Sequence, residues 1–353
     1  MTITAEQRRA HILDVVRELG TVRVVELAER IGLAAVTVRR DVAALAEAGL
    51  LRRSHGVVSL PVADTSAARP TGRDRVIGML VPSVGSYFDE IIDGARTAAN
   101  AAGARLVLGI STYESSDDRA QVEQLLGSGV DGLLLTPNWK PGGRPENHAW
   151  IGDLEVPAVL VERRPAPDSP FAELDSVSSD HRHGVLRALR RLSSLGHGSV
   201  LLAAREDSWT ALRVRAGYEE ATRLLGLEPQ PVVDILRPGG DMEPVATLIA
   251  EAVDRGVRAV LVHNDQSALQ LMPLLRARGL RVPDDMALIS YDDVFAALAA
   301  PPLTAVAPPK RAVGAAALEL MLSRLAGGDD LPVRHVELLP DLKIRESCGG
   351  GGR

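Results

Sequence analysis

Seven short apolar runs recur between residues 76 and 291: VIGMLV (76–81), ARLVLGI (104–110), GLLLT (132–136), PAVLVE (157–162), SVLLAA (199–204), AVLVH (259–263) and MALISY (286–291). They are apolar throughout rather than alternating, the pattern of strands covered on both faces. Amphipathic stretches such as Phe88–Ala102 and Asp118–Leu126 lie between them. Strands and helices in this alternation build right-handed βαβ units on parallel sheets, with ligand sites at the carboxyl ends of the strands. The fold class is therefore α/β.

Polar residues gather at those ends. Val81-Pro82-Ser83 is followed by Tyr87-Phe88, and Val161 by Glu162-Arg163. Asp180-His181-Arg182 precedes a helix, His263 runs into Asn264-Asp265, and Tyr291 into Asp292-Asp293. A cleft edged this way clamps a polar small molecule through hydrogen bonds while aromatic rings cover its flat face.

The first sixty residues are different. They hold nine Arg and seven Asp/Glu, a net +2, against −8 for the remainder, so a small basic module joins a large acidic body. Ile12, Leu13, Val16 and Leu19 fall at helical spacing and Gly20 stops that helix. A second short helix spans Val24 to Ile31, Gly32 makes the turn, and a third runs from about Ala35 to Ala48. Two helices joined by a glycine turn are helix-turn-helix geometry. The third helix exposes Ala35, Val36, Thr37, Arg39 and Arg40, residue types that reach base edges and phosphates. LLRRSHGVVSL then reads as a hairpin wing carrying Arg52, Arg53 and His55. A three-helix packing module with solvated arginines is the alternative from charge alone.

The order of these pieces resembles the DeoR-type winged helix-turn-helix. The matches are Val25-Glu26-Leu27-Ala28, Thr37-Val38-Arg39-Arg40-Asp41 and Arg53-Ser54-His55-Gly56. Ala34 departs from that family's usual serine, which removes an N-cap worth about 1 kcal/mol. Residues 61–74, PVADTSAARPTGRD, lack periodicity and read as a flexible connector.

From Arg75 to Cys348 the chain is similar to the sensor domain of LacI/GalR-type regulators, a fold shared with periplasmic sugar-binding proteins. The likeness rests on IGMLVP, VDGLLLTP, VPAVLVERR, VSSDHRHGVLRALRRLSSLGHGSVLLAA, HNDQSALQLMPLLRARGLRVPDDMALISYDD, PPLTAV and LKIRESC. It implies two α/β lobes joined by three crossovers near 174–180, 291–294 and 326–333. Lobe 1 would be about 75–176 with 294–326, lobe 2 about 177–293 with 327–348, and 349–353 a glycine-rich tail. The resemblance also implies pocket roles for Tyr87, Phe88, Glu162, Arg163, Asp180, Asn264, Asp265 and Asp292, and for one of Arg213 and Arg215. Trp209 either stacks on a ligand or caps a lobe. The family's own hinge helix is missing here.

No run of about 18 apolar residues occurs and the first twenty residues lack an apolar signal core, so a cytoplasmic protein with no membrane partner is expected. The single cysteine, Cys348, fits a reducing compartment. His181-Arg182-His183 has a spacing that can bind metal but no third ligand nearby, and neither a Walker loop nor a Gly-x-Ser-x-Gly elbow is found, so no metal, cofactor or catalytic residue is expected. The expectation is a repressor binding double-stranded operator DNA as a homodimer, tuned by a sugar-like or nucleoside-like effector between the lobes. A sugar-binding protein and an α/β enzyme, both without a DNA-binding role, are the alternatives.

Overall fold

The computed structural model describes residues 8–9, 11–13, 15–16, 21–33, 35–47, 51–54, 57–59, 75–82, 87–111, 118–139, 145–167, 169–235 and 240–349. The chain forms two units, Met1–Gly72 and Arg73–Arg353. The connector at 61–74 lies outside the described residues.

In the first unit, α1 (Val24–Ile31) and α2 (Ala35–Glu47) flank Gly32, whose φ of +69° is the left-handed turn that glycine makes without steric cost. Strands β2 (Arg52–Ser54) and β3 (Val57–Ser59) pair antiparallel, and β1 (Thr21–Arg23), a strand absent from the sequence reading, adds to the other side of β3. Ile12, Val16, Leu27, Val38, Val42, Leu45 and Val58 form one buried core.

The second unit holds two six-stranded sheets. The first lobe contains β4 (Val76–Val81), β5 (Arg105–Ile110), β6 (Gly132–Leu135), β7 (Ala158–Val161), β8 (Asp175–Ser179) and, later in the chain, β14 (His335–Leu338). Their order is β14-β8-β7-β6-β4-β5, all parallel. The second lobe contains β9 (Leu201–Ala204), β10 (Val233–Asp234), β11 (Ala259–His263), β12 (Ala287–Tyr291), β13 (Thr304–Ala307) and β15 (Asp341–Lys343), in the order β10-β9-β11-β12-β13-β15 with β15 antiparallel. Each sheet has a buried apolar cluster on both faces, which is why these strands read as unbroken apolar runs. Both sheets reverse direction of winding beside their first strand, and the crevice outside that point is where open α/β sheets hold ligands.

The chain crosses between lobes at Asp180, then between Ala307 and Lys310, then between Leu338 and Asp341. The second and third crossings correct the expected 291–294 and 326–333. β13 completes the second sheet before the chain leaves it, and β14 first returns to pair with β8. Helix α3 (Tyr87–Ala101) packs against α9 (Lys310–Gly327) in the first lobe at a glycine contact. A Cβ on Gly94 would lie 2.0 Å from the Arg311 carbonyl oxygen, and one on Gly314 1.9 Å from that of Ile91. This approach sets Lys310 beside Tyr87. Cys348 is buried in the second lobe's core, accepting the Thr304 hydroxyl at 3.2 Å.

Candidate functional site

On α2, Val36 is 75% exposed and Arg40 is exposed, while Val38 and Val42 point into the core. Thr37 is partly buried. Ala35 and Arg39 share this helix and Arg52 and Arg53 lie on β2; His55 lies outside the described residues. Asp41, on the inner side of α2, is 1% exposed and accepts Arg8 Nε at 2.9 Å and Arg9 Nε at 3.3 Å. Burial pushes its carboxyl up, but the two arginines outweigh that and hold it below its ordinary value. The core thus fixes one side of α2 and leaves the other to meet a duplex.

In the second unit the strand ends of both lobes converge at the crossovers. Helix α5 (His181–Ser194) starts at Asp180, whose carboxylate caps it by accepting the His183 N–H at 2.9 Å. Glu162, just past β7, is 3% exposed with φ +53°. Its carboxylate accepts the Tyr87 hydroxyl at 2.9 Å and the Ser179 hydroxyl at 2.8 Å, and lies 3.6 Å from His181 Nε2. Burial raises its pKa, but His181 and Ser179 more than offset this, so the carboxyl stays below its usual range. His181 Nδ1 is in turn 3.1 Å from the buried Tyr291 hydroxyl. Asp292 has φ +90°, accepts Asn264 Nδ2 at 3.0 Å, and offers its carbonyl to Lys310 Nζ at 2.6 Å. Non-glycine residues held at positive φ cost on the order of 1–3 kcal/mol each, a strain typical of functional sites.

A cavity of about 860 Å³ opens beside this network, between the lobes. The first lobe contributes Glu162, Arg164 and Ser179, the second His181, Trp209 and Arg213, with Asp180 at the crossing. Trp209 begins helix α6 (Trp209–Leu225), capped by Ser208. Its ring meets Trp139 of the first lobe edge-on at 5.4 Å, and Trp139 stacks on Phe171 at 5.5 Å. Arg213 lies over the Trp209 ring at 5.0 Å and donates to the Arg164 carbonyl at 3.2 Å.

Several expected pocket residues serve other ends. Phe88 is 5% exposed within the first lobe's core. Arg163 is buried and binds the Pro137 and Glu162 carbonyls at 2.7 and 2.9 Å, tying neighbouring strand ends together. Arg215 binds the Ala204 and Arg205 carbonyls at 2.6 and 2.8 Å, so of the two arginines it is Arg213 that lines the cavity. Asp265, at the start of α8 (Asp265–Ala277), is 1% exposed and turned into its own lobe. The sequence places His181 and Tyr291 at the cleft edge without a role, and gives no sign of Ser179 or of Lys310, a lone lysine after Pro308-Pro309. His181 faces Glu162 and Tyr291, and among the described residues no cluster of His, Cys, Asp or Glu is arranged to hold a metal.

Comparison with known proteins fits this construction. Residues 8–62 match the DeoR-like helix-turn-helix domain, and residues 189–348 the periplasmic binding protein-like domain. The HTH-type transcriptional repressor PurR of Vibrio campbellii is 30% identical over 284 residues, covering 77% of this chain and 81% of that protein. The chain belongs to the LacI family of transcriptional regulators. Like its LacI-family relatives it is a DNA-binding regulator, here with a DeoR-like reading head. Among solved LacI-type structures, the transcriptional regulator CelR in complex with cellobiose matches with a TM-score of 0.64 and 25% identity, over 89% of this chain and 91% of that one. The lac repressor dimer bound to operator and an anti-inducer shares the fold, with a TM-score of 0.65 and 22% identity over 78% and 95% of the two chains. No helix among the described residues is long and apolar enough to cross a membrane.

Proposed function

We propose that this regulator is a homodimeric repressor whose affinity for operator DNA is set by a polar effector held between the sensor lobes. The observation that carries the reading is the cavity of about 860 Å³ walled by both lobes at once. A ligand touching Trp209 and Arg213 on one side and Glu162 or Ser179 on the other binds the closed arrangement better than an open one. Only such differential affinity can move a two-state equilibrium. On the DNA side, Val36, Thr37, Arg39 and Arg40 enter the major groove, while Arg52, Arg53 and His55 meet the backbone from the wing. Two half-sites call for two reading heads, and the segment at 61–74 passes on a change in their spacing.

The test is an electrophoretic shift with the full-length protein and DNA flanking its own gene, repeated with a panel of sugars and nucleosides. The expected result is a specific, salt-sensitive complex that at least one panel compound weakens or strengthens. Absence of a sequence-specific complex would overturn the reading.

A further inference from the structure

The chemistry of one wall of the interlobe cavity narrows the class of effector. Arg164, Arg182 and Arg213 all line it. Arg164 is paired with Glu337, and Arg182 with Glu220 at 3.3 Å. Arg213 has no carboxylate partner among the described residues. It spends one N–H on the Arg164 carbonyl and lays its face on Trp209. A guanidinium carries five donors in a rigid fork that matches carboxylate and phosphate oxygens two at a time. Burial, with the nearby charges of Arg182 and Arg164, outweighs the opposing pull of Glu337 across the cavity wall and holds its pKa below the ordinary arginine value. A half-buried guanidinium with donors to spare offers them to an incoming anion. At the crossing, Asp180 spends Oδ1 on the His183 N–H, and no other hydrogen bond to its carboxylate forms among the described residues. That leaves acceptor capacity suited to hydroxyl groups.

We propose that the effector is an anionic polyhydroxylated molecule, a sugar acid or sugar phosphate, with its anionic group on Arg213 and hydroxyls on Asp180. The inference rests on the interlobe reading above and sharpens it. Trp209 would then cover the apolar face of the carbon skeleton while its neighbour takes the charge.

The experiment is calorimetric titration and thermal-shift measurement of the full-length protein with three sets of probes: aldonates, aldose phosphates and the parent neutral aldoses. At least one anionic probe should bind, and at least tenfold more tightly than its neutral parent. Its affinity should fall as ionic strength rises. Arg213→Gln should weaken that probe by at least tenfold, while Arg213→Lys, which keeps the charge but loses the fork, should weaken it less. The aldonate and phosphate arms separate the two sources of charge. Neutral aldoses binding as tightly as their anionic counterparts, or an anion affinity unchanged in Arg213→Gln, would overturn the anionic assignment and leave the interlobe site standing. If no probe of any set bound, the anionic assignment would fall, and the interlobe reading would fall with it once the nucleosides of the wider panel also failed to bind.

Discussion

Asp265 accepts the Val294 backbone N–H at 2.6 Å, so the first residue of α8 pins the loop that leaves β12. The same carboxylate takes the Ser290 hydroxyl at 2.5 Å and the Phe295 N–H at 3.1 Å. A residue expected to bind the effector instead holds the loop after β12 in place. Asp265→Ala should therefore lower stability by about 2–4 kcal/mol, because two backbone donors and a hydroxyl lose their acceptor. Chemical denaturation of the variant checks this; a cost below about 1 kcal/mol would contradict the assigned role.

Burial, reinforced by Asp292, raises the Asp265 pKa from 3.8 to about 6. Between those values the folded protein holds this proton more tightly than the unfolded chain does. The contribution of Asp265 is thus greatest below the lower value and is lost as pH rises toward 6, over a range of about 3 kcal/mol. Unfolding measured from pH 4 to 7 should show a downward slope that is flatter in Asp265→Asn. Parallel profiles would contradict the linkage.

Asp41 carries the opposite sign. Its depressed pKa means that the stability it supplies is present above the ordinary value of 3.8 and disappears as pH falls below it. Asp41→Ala removes the carboxylate that Arg8 and Arg9 share and should cost about 1–3 kcal/mol. Thermal unfolding followed in the isolated segment 1–72 and in the full chain should show the loss in both.

Arg40→Ala should weaken operator binding by about 1–3 kcal/mol if Arg40 reads a base, with relaxed specificity at one position. If it contacts a phosphate, all sequences should weaken alike and the salt slope should drop by about one. Anisotropy titrations over a salt series distinguish these outcomes, and unchanged affinity would remove Arg40 from the interface.

Several Gly/Ser residues inserted after Ala67 should cost little operator affinity, because effective concentration falls slowly with tether length. The insertion should blunt the effector's influence, since slack absorbs a change in spacing. Effector coupling undiminished in the lengthened protein would rule out a spacing mechanism.

Each of the seven apolar runs is a strand; six are sealed between two apolar layers, while β5 lies at the sheet edge with Arg105 and Ile110 exposed. Strand β8, Asp175-Ser-Val-Ser-Ser, escaped because its leading acid is satisfied from far away. Arg324 Nε, 149 residues later, binds Asp175 at 2.9 Å, and the Arg334 N–H binds it at 2.7 Å. The crossovers were misplaced for the same reason, as β13 and β14 are defined by pairing partners rather than by local composition. Within the site, residue types at strand ends were legible, but orientation was not. Glu162 and Asp265 are both acids just past strands; one reaches the cavity wall and the other a loop of its own lobe.

The edge-on contact of Trp139 with Trp209 joins one ring from each lobe, in a chain with only three tryptophans. The protein therefore carries its own optical gauge of lobe separation. Two indoles in contact couple their excited states, so parting the lobes changes near-ultraviolet ellipticity and emission together, while Trp150 in the first lobe provides a fixed background. Effector binding can be followed in this way on the unlabelled protein, with no need to know in advance which promoter it serves.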